Sequence, residues 1–345
     1  MLVAELTAPR EFRLAQQEIE EPQPGEVQVR VDSVGLCGSD LHSYTEGGVG
    51  DTPCQYPMIL GHEPAGTVVA VGAGVTGWSR GDRAVLEPAL YCYHCEFCHS
   101  GRHNICANIR FLSTPGNPGF FRERVNLPIS NVLPLPDGVS TDVGTLAEPL
   151  AITLHSVKLA RVDVGETVAV WGTGPIGLCT IACLKLAGAG RIFAVEPVAH
   201  RRELAKHMGA DATLDPASVD AARQIVADTG GRGVDCAIDC AAKGDTINAG
   251  IRAARNGGRV VLTGIHSATH VEFEVSPMRR KELVILNVRR NNHESETAVK
   301  LIASHTRWFA PLVTHTRPLN RIADAFQLTE AYADGVGKMI VRCAE

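Results

Sequence analysis

The feature that most constrains this fold is a glycine-rich turn between an apolar run and a helix-forming run, near the middle of the chain. Residues 168–171 (VAVW) lead directly into 172–177 (GTGPIG), and LCTIACLKLAGA follows. In such a turn the first glycine permits a tight bend, the second lets the backbone approach a phosphate, and the third lets helix and strand pack closely. The order of strand, turn and helix therefore predicts a dinucleotide site. Its candidate cofactor-binding residues are Gly172, Gly174, Pro175, Ile176 and Gly177.

The pattern of apolar runs changes along the chain. From residue 167 onward, apolar runs alternate with helix-forming stretches, which is typical of buried parallel strands joined by helices. Before that, alternating Val27, Val29 and Val31 and the run 67–71 are typical of short strands in an irregular β domain. At 345 residues the chain exceeds the usual size of a single core. We therefore predict an α/β protein with a β-rich domain and a doubly wound parallel sheet.

Glu196 directly follows the strand-like run 191–195, about 20 residues after the glycine turn. A carboxylate at this place can accept hydrogen bonds from the adenosine ribose hydroxyls, and its charge repels a 2′-phosphate. NAD is therefore favoured over NADP. Arg201 and Arg202 keep NADP as the alternative, because arginines after this strand can also hold a 2′-phosphate.

Four cysteines in one short segment indicate a metal site. Their spacing is C-x2-C-x2-C-x7-C, and four thiolates so placed can close the tetrahedral coordination of a structural Zn²⁺. The chain has eleven cysteines, and its N-terminal segment lacks the pattern of a signal peptide, so metal ligation fits better than disulfides and a cytoplasmic location is expected. The predicted ligands are Cys92, Cys95, Cys98 and Cys106.

A second set of possible zinc ligands is dispersed over the chain. Cys37 precedes GSDLH, His62 and Glu63 belong to GHE, and Glu148 belongs to AEPLA. A catalytic zinc needs three protein ligands and an open fourth position for a substrate oxygen. Whether Glu63 or Glu148 contacts the metal stays open.

Together these motifs resemble the zinc-containing medium-chain alcohol dehydrogenase superfamily, and within it the sorbitol (polyol) dehydrogenase branch. The resemblance extends over essentially the whole chain and includes PLVTH at 311–315. It implies a GroES-like catalytic domain formed by residues 1–150 and 290–345, and a Rossmann dinucleotide-binding domain at 151–289. It also implies two zinc ions per chain, one catalytic and one structural, and a homotetramer or homodimer.

The resemblance further implies roles for individual residues. Zinc held by Cys37, His62 and a glutamate would act as a Lewis acid while a secondary alcohol gives its hydride to NAD and becomes a ketone. Ser39 and His42 would form a proton relay, Asp40 would orient His62, and Arg201 would lie beside the adenosine ribose. The matched substrate positions are Phe111, Thr114 and Arg290, whereas Ser43 stands where sorbitol dehydrogenases have a substrate-binding tyrosine.

Composition excludes several other classes of partner. The formal net charge is −5 and there is no lysine or arginine block, so nucleic acid is not expected. No stretch approaches the roughly 20 apolar residues of a membrane span. A small-molecule alcohol or polyol is the expected substrate. The alternatives are a threonine or diol dehydrogenase of the same superfamily and, in a different class, a non-catalytic nucleotide-binding zinc protein.

Overall fold

The computed structural model describes residues 1–344, which divide into two units, each with its own hydrophobic core. The first unit comprises Met1–Glu148 together with the chain from Ser295 onward, and the second comprises Pro149–Glu294. Within the described residues no helix is both long enough and apolar enough to cross a bilayer.

The strands of the described chain are β1 (Leu2–Ala8), β2 (Glu11–Gln16), β3 (Glu26–Gly35), β4 (Gly48–Val49), β5 (Thr52–Pro53), β6 (Met58–Ile59), β7 (Glu63–Val71), β8 (Arg83–Leu86), β9 (Ala89–Leu90), β10 (Arg110–Phe111), β11 (Arg124–Pro128), β12 (Val132–Pro134), β13 (Thr167–Trp171), β14 (Arg191–Val195), β15 (Ala212–Leu214), β16 (Val234–Asp239), β17 (Ala254–Leu262), β18 (Val284–Asn287), β19 (Val313–Pro318) and β20 (Lys338–Arg342). The α-helices are α1 (Gly38–Glu46), α2 (Glu96–His99), α3 (Thr141–Gly144), α4 (Ala147–Ala160), α5 (Pro175–Ala187), α6 (Ala199–His207), α7 (Ala221–Asp228), α8 (Thr246–Ala253), α9 (Val275–Arg280), α10 (Ser295–Ser304), α11 (Thr306–Phe309) and α12 (Ile322–Glu330).

Strand β3 organises the first unit. It pairs antiparallel with β7, β11 and β20 in a sheet of order β12-β8-β7-β3-β20-β19. Its alternating Val27, Val29 and Val31 are fully buried, so the period-2 pattern of the sequence does face the core. The register pairs Gly35, the last residue of β3, with Glu63 on one side and Ile340 on the other. The pairing therefore brings the end of β3, the start of β7 and the middle of β20 together directly before Cys37.

The second unit contains a six-stranded parallel sheet of order β15-β14-β13-β16-β17-β18. The strand order reverses between β13 and β16, and in sheets of this kind ligands bind at the carboxyl ends of the strands at that point. The glycine turn follows β13 directly and leads into α5. The expected combination of a β-rich unit with a doubly wound parallel sheet is confirmed.

Candidate active site and metal centres

Three residues from two separate segments converge in the first unit. Cys37 lies between β3 and α1, His62 directly precedes β7, and Glu63 begins that strand. One possible ligand atom from each residue lies within 4.8 Å of those of the other two. His62 and Glu63 are buried, and Cys37 is half-buried. Thiolate, imidazole and carboxylate are all ligands that Zn²⁺ accepts, so this donor set fits a three-ligand zinc site.

Asp40 fixes the orientation of the imidazole. Its Oδ1 lies 3.3 Å from His62 Nδ1 and accepts a hydrogen bond from the Gly61 amide at 3.1 Å, and its Oδ2 accepts one from the Cys37 amide at 3.1 Å. A carboxylate facing Nδ1 keeps the proton there and leaves Nε2 for a metal. The role expected for Asp40 is consistent with these contacts.

His62 and its neighbours are electrostatically coupled. Burial disfavours a charged imidazole, but the Asp40 carboxylate and the Cys37 thiol outweigh it and raise the pKa of His62 well above its ordinary value. The charged imidazole carries a proton on Nε2. A metal bound at Nε2 would replace this proton, because metal binding to histidine requires the neutral ring.

Ser39 lies beside the ligand atoms. Its hydroxyl is 3.4 Å from Cys37 Sγ and 3.4 Å from His62 Nε2. His42 lies one turn further along α1, with a partly exposed side chain, and its Nδ1 is 2.9 Å from Glu46 Oε1. The helix thus carries a hydroxyl at the ligand set and an imidazole that reaches solvent.

Glu148 does not belong to the group formed by Cys37, His62 and Glu63. Its carboxylate is buried, and Oε2 has no hydrogen-bond partner within the protein. Burial, reinforced by the carboxylates of Glu63 and Glu87, raises the pKa of Glu148 to about 8. Because a cation nearby would favour the charged form of Glu148, this carboxylate suits a place beside a bound metal ion.

Lys338 is a site residue that the motifs did not indicate. Its ammonium group forms an ion pair with Glu63 and donates a hydrogen bond to the Leu36 carbonyl at 3.0 Å, and both charged side chains are 1% exposed. Burial disfavours the charged ammonium, but Glu63, together with Cys37 and Glu148, outweighs it and raises the pKa of Lys338. Gly35 makes room for the pair, because a Cβ there would collide with both side chains.

Lys338→Met is expected to lower the free energy of unfolding of the zinc-free protein by about 3 kcal/mol, because it leaves the Glu63 charge buried without a partner. Denaturant unfolding measures this loss. The double change Glu63→Gln with Lys338→Met removes both charges and should recover much of the stability. A loss no larger than that of exposed Lys300→Met would contradict the importance of the pair.

The four-cysteine segment forms one compact cluster. The Sγ atoms of Cys92 and Cys106 are 3.4 Å apart, those of Cys95 and Cys106 are 3.9 Å apart, and those of Cys92 and Cys98 are 4.0 Å apart. Tetrahedral zinc with Zn–S bonds of about 2.3 Å requires sulfur separations of about 3.8 Å. The backbone N–H of His94 contributes most to lowering the pKa of Cys92 to about 5, whereas burial raises the pKa of Cys98 to about 12. The cluster fits a closed zinc site.

The glycine turn has the backbone that the sequence predicts. Gly172 has a φ of +82°, and a Cβ at Gly177 would collide with the Gly172 carbonyl. Gly174 caps α5, and Pro175 occupies its first turn. Ile176 follows Pro175 in the same helix. A helix that begins in this way presents free backbone N–H groups, which suit a pyrophosphate.

The Glu196 carboxylate stabilises the same turn through hydrogen bonds to backbone amides. Its Oε2 accepts a hydrogen bond from the Thr173 amide at 2.8 Å, and its Oε1 accepts one from the Val198 amide at 3.0 Å. Arg201 is buried, and its carbonyl accepts a hydrogen bond from the Thr173 hydroxyl. Arg202 donates to the carbonyls of Glu196 and Pro197 and pairs with Asp215. The Arg202 guanidinium is therefore already engaged within the protein.

The matched substrate positions lie in both units. The Phe111 ring lies 5.5 Å from the His62 ring, and Thr114 donates a hydrogen bond to the Phe111 carbonyl. Arg290 belongs to the second unit and has a φ of +53°. Ser43 is buried, and Tyr44 is fully buried and stacks with Phe12. Tyr44 therefore does not replace the missing substrate-binding tyrosine.

Two family models match the two units. Residues 23–137 match the alcohol dehydrogenase GroES-like domain, and residues 175–304 match the zinc-binding dehydrogenase domain. The sorbitol dehydrogenase of Gallus gallus is 36% identical, over 96% of this chain and 94% of its own length. The probable D-xylulose reductase A of Emericella nidulans is 37% identical, over 81% of this chain and 79% of its own length. A putative zinc-binding dehydrogenase from Sinorhizobium meliloti 1021, crystallised with NADP, superposes with a TM-score of 0.90 at 31% identity, covering 99% of this chain and 98% of that one.

A dinucleotide-type sheet, a β-rich unit with a cysteine-histidine-glutamate cluster and a four-cysteine lobe define a zinc-binding oxidoreductase that uses a nicotinamide cofactor. The chain belongs to the zinc-containing medium-chain alcohol dehydrogenase superfamily.

Proposed function

We propose that this protein oxidises a secondary alcohol of the polyol type to a ketone with NAD. The convergence of Cys37, His62 and Glu63, with the Ser39 hydroxyl beside them, carries this proposal. Bound zinc supplies Lewis-acid polarisation of the alcohol oxygen, and the nicotinamide supplies the hydride acceptor. In this assignment residues 1–150 and 290–345 form the catalytic domain, and residues 151–289 form the Rossmann domain.

The chain's own residues handle the proton. Ser39 Oγ accepts the proton of the substrate hydroxyl as it gives up its own hydroxyl proton, and His42, on the next turn of α1 with Glu46 at its Nδ1, releases a proton to solvent. Asp40 keeps His62 in the tautomer that frees Nε2. Glu148, which is buried and has a free oxygen, serves the metal as an alternative or additional carboxylate to Glu63.

The polyol assignment rests on sequence and contacts together. The relatives named as sorbitol dehydrogenase and D-xylulose reductase align over most of the chain. Phe111, at the end of β10, lies against His62, Thr114 donates a hydrogen bond to the Phe111 carbonyl, and Arg290 is the proposed contact for a substrate hydroxyl. Since Ser43 replaces a tyrosine and Tyr44 is buried in the core, sorbitol is not assumed to be the polyol.

One panel of substrates tests the proposal. Polyols, diols, threonine and simple alcohols are supplied with NAD or NADP, and the reduced cofactor is followed by absorbance. We expect the protein to turn over polyols and to contain two zinc ions per chain. Preference for threonine or a diol would replace the substrate class. One tightly bound zinc without turnover would support a non-catalytic nucleotide-binding protein.

Two further features belong to this proposal. All eleven cysteines are free thiols, which fits a reducing cytoplasm. We also expect a homotetramer or homodimer, which sedimentation of the purified protein measures directly.

The contacts of Glu196 favour NAD. Its charge would meet a 2′-phosphate at the end of β14, and Arg202 is held by two carbonyls and Asp215. Glu196→Ser is therefore expected to raise the NADP-to-NAD ratio of kcat/KM by about tenfold, mainly through KM, because the ribose is distant from the reacting carbon. Steady-state kinetics with both cofactors checks this. A wild type that prefers NADP, or an unchanged ratio in the variant, would show that Glu196 does not select the cofactor.

A further inference from the structure

A loop residue outside the ligand motifs holds the carboxylate that faces His62. Ser113 Oγ donates a hydrogen bond to Asp40 Oδ1 at 3.2 Å. The same oxygen lies 3.3 Å from His62 Nδ1 and accepts the Gly61 amide at 3.1 Å. Three donors from two separate segments, the Ser113 loop and Gly61–His62, therefore meet at one carboxylate oxygen of Asp40, a residue that is 1% exposed.

The backbone at Ser113 is unusual. Its φ is +86°, in the left-handed region, and its amide donates to the Asn117 carbonyl at 2.9 Å. A residue other than glycine costs about 1–3 kcal/mol in such a conformation, and it persists where surrounding contacts determine it. Glycine would meet the backbone requirement without that cost. What serine adds is the hydroxyl, and the partner of the hydroxyl is Asp40.

The same segment also contacts the imidazole and carries Phe111 and Thr114, two of the three proposed substrate positions. The Phe111 ring packs against the His62 ring at 5.5 Å between centroids. Thr114 bonds to the Phe111 carbonyl and bridges to Asn117. Movement of this loop would therefore disturb Phe111 and Asp40 together, and both of them contact His62.

We propose that Ser113 is a positioning residue that joins the 111–117 loop to the ligand set through Asp40. Its hydroxyl holds Asp40 Oδ1 against His62 Nδ1, which keeps Nε2 in place as a metal ligand. The part of the proposal that concerns substrate rests on the proposed function, because Phe111 and Thr114 are assigned to substrate binding there.

Two substitutions separate the hydroxyl from the backbone. Ser113→Gly removes the hydroxyl and relieves the left-handed conformation, whereas Ser113→Ala removes the hydroxyl and keeps the strain. The thermal midpoint of the glycine variant should equal or exceed that of the alanine variant. Both variants should nevertheless bind zinc at the Cys37 site about tenfold more weakly, at the low end of the 10–100-fold cost of changing the partner of a ligating histidine, because Ser113 acts on His62 through Asp40. Competition with a chromophoric chelator, with the zinc retained per chain counted, measures this affinity.

Two controls identify the route of the effect. Asn117→Ala removes side-chain bonds to Pro115 and Thr114 within the same loop but none to Asp40, and it should leave zinc affinity within about twofold of wild type. In an Asp40→Asn background, Ser113→Gly should have little further effect, because the partner of the hydroxyl is already altered.

Wild-type zinc affinity in both Ser113 variants would overturn the proposal. So would a Ser113→Gly effect that is equally large with Asp40→Asn, because the hydroxyl would then act by another route. The zinc measurement does not depend on the substrate. If the wild type turned over no polyol while the Ser113 variants still bound zinc more weakly, the proposed function would be rejected and the positioning role of Ser113 would stand.

Discussion

Replacing Cys37 with serine is expected to lower kcat/KM by about 10³-fold or more, while the dissociation constant of the nicotinamide cofactor changes by less than about twofold. Loss of one of three zinc ligands removes a Lewis acid that contributes several kcal/mol to the transition state, and each 1.36 kcal/mol is a factor of ten. The glycine turn belongs to the other unit and is unaltered. Steady-state kinetics, zinc analysis and cofactor fluorescence titration measure the three quantities.

Cys54→Ser is the matched control for this change. Cys54 is also half-buried and close to α1, with its thiol 3.8 Å from the Ser43 carbonyl, but it belongs to neither group of possible metal ligands. It should retain turnover and both zinc ions. If Cys37→Ser lost the catalytic zinc and still turned over substrate normally, the metal-assisted mechanism would be wrong.

The features that sequence predicted well are those whose physical cause is local. The glycine turn requires its three glycines within six residues, so β13, the turn and the start of α5 can be recognised without any distant contact. The four cysteines span fifteen residues, from Cys92 to Cys106, and a loop of that length can close around one ion. The short strand β15 lacks a comparable apolar run and was not predicted.

Distant pairing explains what sequence reasoning missed. Lys338 meets Glu63 only because β20 and β7 both pair with β3, and no spacing along the chain indicates that contact. The available signal was a lysine directly before the apolar run MIV, since a charge in such a place needs a buried partner. Ser113 gave no signal, because a serine in a loop is ordinary until its φ and its bond to Asp40 are known.

The choice between two glutamates shows the same limit. The motifs GHE and AEPLA each offer a carboxylate, and sequence left both open. The structure groups Glu63 with Cys37 and His62 but also gives it a lysine partner, and it leaves Glu148 buried with a free oxygen. Spacing along the chain therefore identifies both carboxylates, but only the strand pairing shows which of them lies with Cys37 and His62.

Cys98→Ser is expected to have the largest effect on stability. Cys98 is buried on α2, and its thiol lies against the other members of the four-cysteine cluster. Because a closed structural zinc contributes folding free energy, losing one of four thiolates should cost about 5 kcal/mol and lower the thermal midpoint by about 10–20 °C. Zinc content should fall from two to one per chain. Calorimetry and metal analysis give both values, and Cys54→Ser again serves as the control that keeps two zinc ions.

The separate location of this cluster makes the prediction specific. The four cysteines and the group of Cys37, His62 and Glu63 are distinct sets of possible ligands, so Cys98→Ser leaves the proposed catalytic ligands intact. Freshly prepared variant at low temperature should retain turnover per catalytic zinc, whereas Cys37→Ser should retain the thermal midpoint far better than it retains turnover. Unchanged stability and zinc content in Cys98→Ser would show that the four-cysteine segment is not a structural zinc site.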